Sequence, residues 1–269
     1  MLPVVTPDEM RAIDAESDQP VDVLVARAGA AVAREALRLL GGAYGRRVVV
    51  VAGPGNNGAD GRVAAARLSE RGVAVRVLDA RDLPARLPAA DLVIDAGFGT
   101  GFRGEWRPPP IDGCRVLAVD VPTGLDAMTG HVQPGTWRAD ATVTFAAAKP
   151  GHVLGAGPTL VGRLVVADIG LDVSRSTIGI VEEADVAAWL PRRHRSAHKW
   201  KHAVRVVAGS PGMTGAAALV AGAAQRAGSG MVVLSSPGID AEAPVEVVRR
   251  RLPAFDWADD LASDLHRFH

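Results

Sequence analysis

The stretch Val48-Val49-Val50-Val51-Ala52-Gly53-Pro54-Gly55-Asn56-Asn57-Gly58-Ala59-Asp60-Gly61 decides the fold. Its four valines make the short β-branched run of a buried strand, and the run stops at a glycine-rich turn. Residues 59–71 then read as a helix, and residues 73–78 return to strand character. The pattern is a β–turn–α–β unit, which predicts a parallel sheet with helices packed on it.

The flanks extend this unit. Thr6-Pro7-Asp8-Glu9 reads as a helix start, with Thr6 as N-cap, Pro7 at the first helical position and Glu9 closing a capping box. Apolar residues recur at helical spacing from Val21 to Leu40, until Gly41-Gly42 break the pattern. Further apolar runs fall at residues 91–96, 116–120, 141–145 and 164–169. Some gaps between them are too short for a helical crossover. The expected fold is therefore an α/β, Rossmann-like three-layer αβα domain with a mostly parallel sheet, one edge of which can run antiparallel. The pattern weakens over residues 172–195, and residues 204–208 open a second β–turn–α unit through Gly209-Ser210-Pro211-Gly212 and an alanine-rich helix reaching Arg226. The expected organisation is a first domain over residues 1–175, a linker over 176–197 and an incomplete second domain over 198–269.

Composition narrows the function. The chain has 269 residues, 48% hydrophobic and 22% charged, which suffices for a substantial buried core. Thirty basic residues balance thirty acidic ones, so the broad attraction used by nucleic-acid binders is missing and no nucleic-acid partner is expected. A lone Cys114 excludes an internal disulfide and fits a reducing compartment, with the cytoplasm as the expected location. No apolar run reaches the ~20 residues of a membrane helix, and no leader pattern opens the chain, so no membrane partner is expected either.

Three polar, glycine-bearing segments each follow a strand: residues 53–61, 95–104 and 120–126. Parallel strands bring all three to the carboxyl edge of the sheet, where open α/β folds bind ligands. Closely spaced amides in the first segment, leading into a helix, suit a pyrophosphate. Gly53, Gly55 and Gly58 also satisfy G-x-G-x-x-G, with Asp79 at the end of the next strand, which keeps an NAD-dependent oxidoreductase in competition. The blander reading, a bare tight turn, is disfavoured by the added Asn56, Asn57 and Asp60, and a non-catalytic nucleotide-binding scaffold is a third reading. Asn57, Asp95 and Thr123 offer oxygen ligands suited to a hard cation, or simply turn chemistry. Asp120 closes an apolar strand, where partial burial is expected to raise its pKa, or it caps the following turn. The histidines among residues 192–202 are spaced by four, but without cysteines they read as part of a solvated charged linker. His131, His152, His266 and His269 form no ligand pattern and are expected at the surface.

In this order and spacing the segments resemble the NAD(P)H-hydrate epimerase family, the N-terminal half of bifunctional nicotinamide-nucleotide repair proteins. The resemblance rests on residues 56–61, Asp95-Ala96-Gly97-Phe98-Gly99-Thr100-Gly101, residues 120–125, Lys149-Pro150-Gly151 and Asp168-Ile169-Gly170, and covers about residues 1–172. It implies that Asn56, Asn57, Gly58, Ala59, Asp60, Gly99, Thr100, Gly101, Phe102, Arg103, Gly104, Glu105 and Asp120 line the hydrated NADH or NADPH, as the R or S form. It also implies that Asn57, Asp95 and Thr123 hold one K+, and that Asp120 is the acid/base of an isomerase. Ala59 replaces the family's usual second glycine, and Thr123 stands where serine is commoner. A homodimer is compatible with the N-terminal helices.

From about residue 198 the chain resembles the start of an ADP-dependent NAD(P)H-hydrate dehydratase of ribokinase-like fold, through His198-Lys199, Gly209-Ser210, residues 213–217 and Ala227-Gly228-Ser229-Gly230. Trp200 departs from that pattern, and the downstream catalytic segment is not present. The resemblance implies ADP or ATP only for a complete second domain, so no dehydratase activity is expected.

Overall fold

The computed structural model describes residues 1–111, 113–263 and 265–268. The chain divides into two compact units, Met1–Trp189 and the remainder from Leu190 onward. The first unit runs β1 (Leu2–Val4), α1 (Pro7–Glu16), α2 (Val21–Leu40), β2 (Arg47–Ala52), α3 (Asn56–Ser69), β3 (Ala74–Asp79), β4 (Leu92–Ala96), β5 (Arg115–Val119), β6 (Ala141–Phe145), α4 (Pro150–Val153), α5 (Gly157–Leu160), β7 (Arg163–Ala167), β8 (Ile178–Ile180) and α6 (Glu183–Trp189). The N-terminal capping box forms: the Thr6 hydroxyl accepts from the Glu9 amide at 3.2 Å, and the Glu9 carboxylate accepts from the Thr6 amide at 2.7 Å. α2 ends at Gly41 in the left-handed conformation, with φ of 70°, which a glycine adopts without strain.

β2 to β7 form one sheet in the order β3-β2-β4-β5-β6-β7, and every pair in it is parallel. The antiparallel edge allowed from the short gaps does not occur. Residues 80–91 and 120–140 cross over as extended loop, and the β6–β7 connection uses only the one-turn helices α4 and α5, so a parallel return needs no full helix here. An antiparallel pair does exist outside this sheet, where β1 meets β8.

Period-two alternation sorts the strand side chains onto two faces. Val48 and Val50 join Leu92, Ile94, Leu117 and Val119 in a core shared with α1, α2 and α3. Val49, Val51, Val93, Val116 and Ala118 face a second core closed by Ala80, Trp106, Trp137 and Ala139, all from loops. The α/β architecture expected from the sequence is present, but its second outer layer is built mainly of loop. Within the stretch read as a linker, β8 pairs with β1 and the Ser176 hydroxyl donates to the Val4 carbonyl at 2.6 Å.

The second unit contains β9 (Ala203–Val207), α7 (Gly215–Arg226), β10 (Met231–Pro237), β11 (Val248–Leu252) and α8 (Trp257–Ala262). Its three strands are parallel, in the order β11-β10-β9, over a small core of Val206, Ala217, Ala221, Val232, Leu234, Ala241 and Val247. Arg267 lies over the Trp200 ring at 3.9 Å. His194 hydrogen-bonds Ser196 through Nδ1 at 2.7 Å, and no cluster of three or more His, Cys, Asp or Glu side chains able to hold a metal occurs among the described residues. His269 lies outside them. No helix among them is long and apolar enough to cross a membrane.

Candidate functional site

The sheet order reverses at β2: the chain steps outward to β3, then returns to place β4 on the other edge of β2. A crevice opens at such a switch point, at the carboxyl ends of the strands. Two glycines shape it. A Cβ on Gly53 would lie 1.7 Å from the Gly97 carbonyl, and one on Gly58 would lie 1.9 Å from the Gly53 carbonyl. The backbones of the first two segments therefore touch where no side chain fits. α3 starts at Asn56, earlier than the expected residue 59, because extended Gly55 serves as its N-cap. With no side-chain cap, its first amides are available to an anion.

Asp95 is fully buried at the end of β4. Its carboxylate accepts from the Thr123 amide at 2.8 Å, the Thr123 hydroxyl at 2.6 Å and the Gly97 amide at 3.3 Å. Burial nevertheless pushes its carboxyl above the usual carboxylate range. Both polar atoms of the Asn57 side chain are buried without a hydrogen-bond partner, and that side chain lies under Gly99 as Asp95 and Thr123 lie under Gly97. An orphaned amide costs ~1–3 kcal/mol per group, so it calls for a ligand. The oxygen donors of Asn57, Asp95 and Thr123 thus fit a hard monovalent or divalent cation, and do not suit zinc.

Asp120 follows β5 with φ of 65°, a left-handed conformation that costs a non-glycine residue ~1 kcal/mol. It is held there by its amide, which donates to the Val143 carbonyl at 2.7 Å. Its Oδ1 lies 3.0 Å from Lys149 Nζ and accepts from the Thr144 hydroxyl at 2.9 Å. Lys149 is itself buried and donates to the Phe145 and Ala147 carbonyls, both at 3.1 Å. Burial pushes the Asp120 carboxyl up, as expected from the sequence, but the Lys149 charge and the hydrogen bonds from Lys149 and Thr144 outweigh it and the net shift is downward. The expected rise is therefore corrected: Asp120 is a carboxylate, hence a base.

His152 is buried, against its expected surface position. Its Nδ1 accepts from the Lys149 amide at 3.1 Å, which leaves the Nε2 proton to donate to the Asp120 carbonyl at 2.9 Å. Burial lowers its pKa to about 4, so the ring is neutral and acts as a strut between α4 and the turn after β5. No histidine periodicity signals this; the Lys149-Pro150-Gly151 turn was the only sequence mark near it.

Above these groups lies a cleft of about 530 Å³. Of the expected ligand-lining residues, Asn56, Asn57, Asp60, Gly99, Thr100, Gly101, Phe102, Arg103 and Asp120 line it. Gly58, Ala59, Gly104 and Glu105 do not; Gly58 is pressed on Gly53, and Glu105 pairs outward with Arg107 at 3.0 Å. Asp95 and Thr123 sit behind the lining, under Gly97. Lys149, Asp14, Phe98 and the apolar wall of Met10, Val21, Leu24 and Val25 were missed as site residues. Asp79, the ribose-binding acid of the oxidoreductase reading, is outside the cleft and tied to Arg81 at 2.9 Å.

Residues 21–86 and 79–151 match the family described as YjeF-related protein N-terminus. The match lies within the first unit of the chain and covers most of it. The bifunctional NAD(P)H-hydrate repair enzyme of Moorella thermoacetica is 36% identical over 93% of this chain and 58% of its own length. That of Hyperthermus butylicus is 40% identical over 80% of the chain and 46% of its own length. The chain thus spans about half the length of these relatives. The crystal structure of yeast ynu0 is 25% identical, with a TM-score of 0.45, over 56% of this chain and 84% of that one.

Proposed function

We propose that the first unit is an NAD(P)H-hydrate epimerase, an isomerase that interconverts the R and S forms of hydrated NADH and NADPH. The carrying observation is the buried Asp120–Lys149 pair on the floor of a cleft whose rim offers helix N-terminal amides to a pyrophosphate. The match to the YjeF-related family and the relatives named as repair enzymes of NAD(P)H hydrate support it. The reacting carbon is a carbinolamine, so inversion needs the hydroxyl to leave and return on the other face, with a proton moved each time. The Asp120 carboxylate, kept ionised by Lys149, receives a proton in this scheme. Phe98, Phe102 and the α1–α2 wall would give the ring an apolar surface to lie against.

Asn57, Asp95 and Thr123 would hold a K+, whose charge would anchor the turn segments and assist the phosphates. Asn56, Thr100, Arg103 and the amides around Gly99 and Gly101 bind the nucleotide. Cys114 as the lone cysteine supports a cytoplasmic setting. Residues from 198 onward are proposed as the opening of an ADP-dependent dehydratase-like domain, on the strength of the β9–turn–α7 order, and no dehydratase chemistry is assigned to them.

The test is stereochemical. With purified R hydrate and potassium, the S form should appear faster than it does spontaneously, and Asp120→Asn should lose at least ~100-fold of that rate while still binding nucleotide. A folded wild type no faster than the spontaneous reaction overturns the reading.

A further inference from the structure

The cleft holds a second buried carboxyl that the scheme above leaves without a task. Asp60 sits on α3, is only 6% exposed and lines the cleft together with Asp120. The two differ in their partners. Asp120 receives Lys149 and Thr144 at 3.0 and 2.9 Å, whereas among the described residues neither a hydrogen bond nor an ion pair reaches the Asp60 carboxyl. A carboxylate withdrawn from bulk water and given no donor is costlier than the neutral acid, so this placement favours a proton on Asp60.

We propose that Asp60 is the proton donor of the reaction, the acid that complements the Asp120 base; this rests on the epimerase reading. The Asp60 carboxyl protonates the departing hydroxyl; the C–O bond breaks as the ring nitrogen lone pair forms C=N+, and a water leaves. A water then adds to the opposite face, a new C–O bond forms, the C=N+ pair returns to nitrogen, and Asp120 takes the surplus proton. One water leaves and one enters, and nothing is oxidised or reduced. The proton on Asp120 returns to Asp60 through water in the cleft, or the next turnover runs in the opposite sense with the roles exchanged.

The charged groups around Asp60 agree with this division. Asp14 on α1, Arg103 on the rim, Lys149 behind Asp120 and Asp95 beneath Gly97 all belong to the same region, and Arg62 on α3 turns away to the Gly53 carbonyl at 2.8 Å. Burial first, and the Asp120 charge second, raise the Asp60 carboxyl to about 8. Two carboxyls driven apart by their surroundings are the usual basis for an acid and a base in one site.

The experiment compares wild type, Asp60→Asn and Asp60→Glu on R hydrate across pH 5.5 to 9.5, with binding of the hydrate measured separately. Wild type should lose kcat on an alkaline limb near pH 8. Asp60→Asn should lose ~100-fold or more in kcat with KM changed by less than ~5-fold, and lose that limb; Asp60→Glu should recover part of the rate. The infrared difference between wild type and Asp60→Asn at neutral pH should show a protonated carboxyl, which reports on Asp60 whether or not the enzyme turns over. An Asp60→Asn variant of wild-type rate and pH profile, beside an active wild type, overturns the proton-donor role alone. An inactive wild type overturns the epimerase reading and this role with it. Should Asp60→Asn fail to fold, the Asp60→Glu rate and a missing alkaline limb in wild type decide the same question.

Discussion

Asp60 and Asp120 show how one residue type takes opposite protonation states a short way apart: Lys149 is buried against one and not the other. The difference has a consequence for stability that needs no substrate. Asp60 is raised from 3.8 to about 8 on folding, so its contribution is fully present below about pH 4 and is lost as pH rises through about 8. His152 acts on the other limb: lowered from 6.5 to about 4, it contributes above pH 6.5 and that contribution is lost as pH falls toward 4. In urea unfolding followed from pH 5 to 9, the wild type should therefore decline toward the alkaline end by on the order of 3–6 kcal/mol from Asp60. Asp60→Asn should flatten that decline while keeping the acid-side loss due to His152. An unchanged alkaline decline in the variant would show that Asp60 is ionised in the folded protein.

The β2–α3 turn is where backbone contact, rather than side chains, makes the site. Gly58→Ala places a methyl against the Gly53 carbonyl, an atom of backbone that cannot swing away. The expected cost is about 2–4 kcal/mol, with loss of the cleft's anion rim. Ala59→Gly, one position along, meets no such wall and should cost only ~1 kcal/mol of helix propensity. Denaturant midpoints of the two variants make the comparison, and equal losses would mean that the turn yields. These elements were legible because they are local: the valine run, the glycine turn and the helical spacing lie within a few dozen residues. α3 was read as starting at residue 59 because Asn56 and Asn57 look like turn residues, yet the extended Gly55 lets the helix begin before them. Lys149 was legible as part of a motif but not as a site, and His152 as neither, since their burial depends on the β5, β6 and α4 turns meeting. The loop-built second face was illegible for a related reason: Trp106 and Trp137 carry no periodicity that marks them as core.

At the scale of the whole chain, the boundary between Trp189 and Leu190 separates unequal parts. The first unit has two cores on a six-stranded sheet, and every residue lining the cleft, from Met10 to Leu171, lies inside it. The second has three strands over one small core, with Leu219 and Val220 of α7 exposed. The sequence showed the second β–turn–α opening but placed the end of the first domain near residue 175, because weak patterning hid β8, whose three residues pair with β1 at the other end of the unit. If the cleft alone carries the proposed epimerisation, a protein of residues 1–189 should fold, bind the hydrate and turn over R hydrate within about twofold of the full chain's kcat/KM. Ending the chain at residue 175 instead removes β8, leaves β1 unpaired and takes away the Ser176 hydrogen bond to Val4. That shorter protein should melt at lower temperature, by roughly 2–4 °C for each kcal/mol lost. Activity in the 1–189 protein far below that of the full chain would mean that residues beyond 189 reach the reaction, and the assignment of the cleft to one unit would have to be given up.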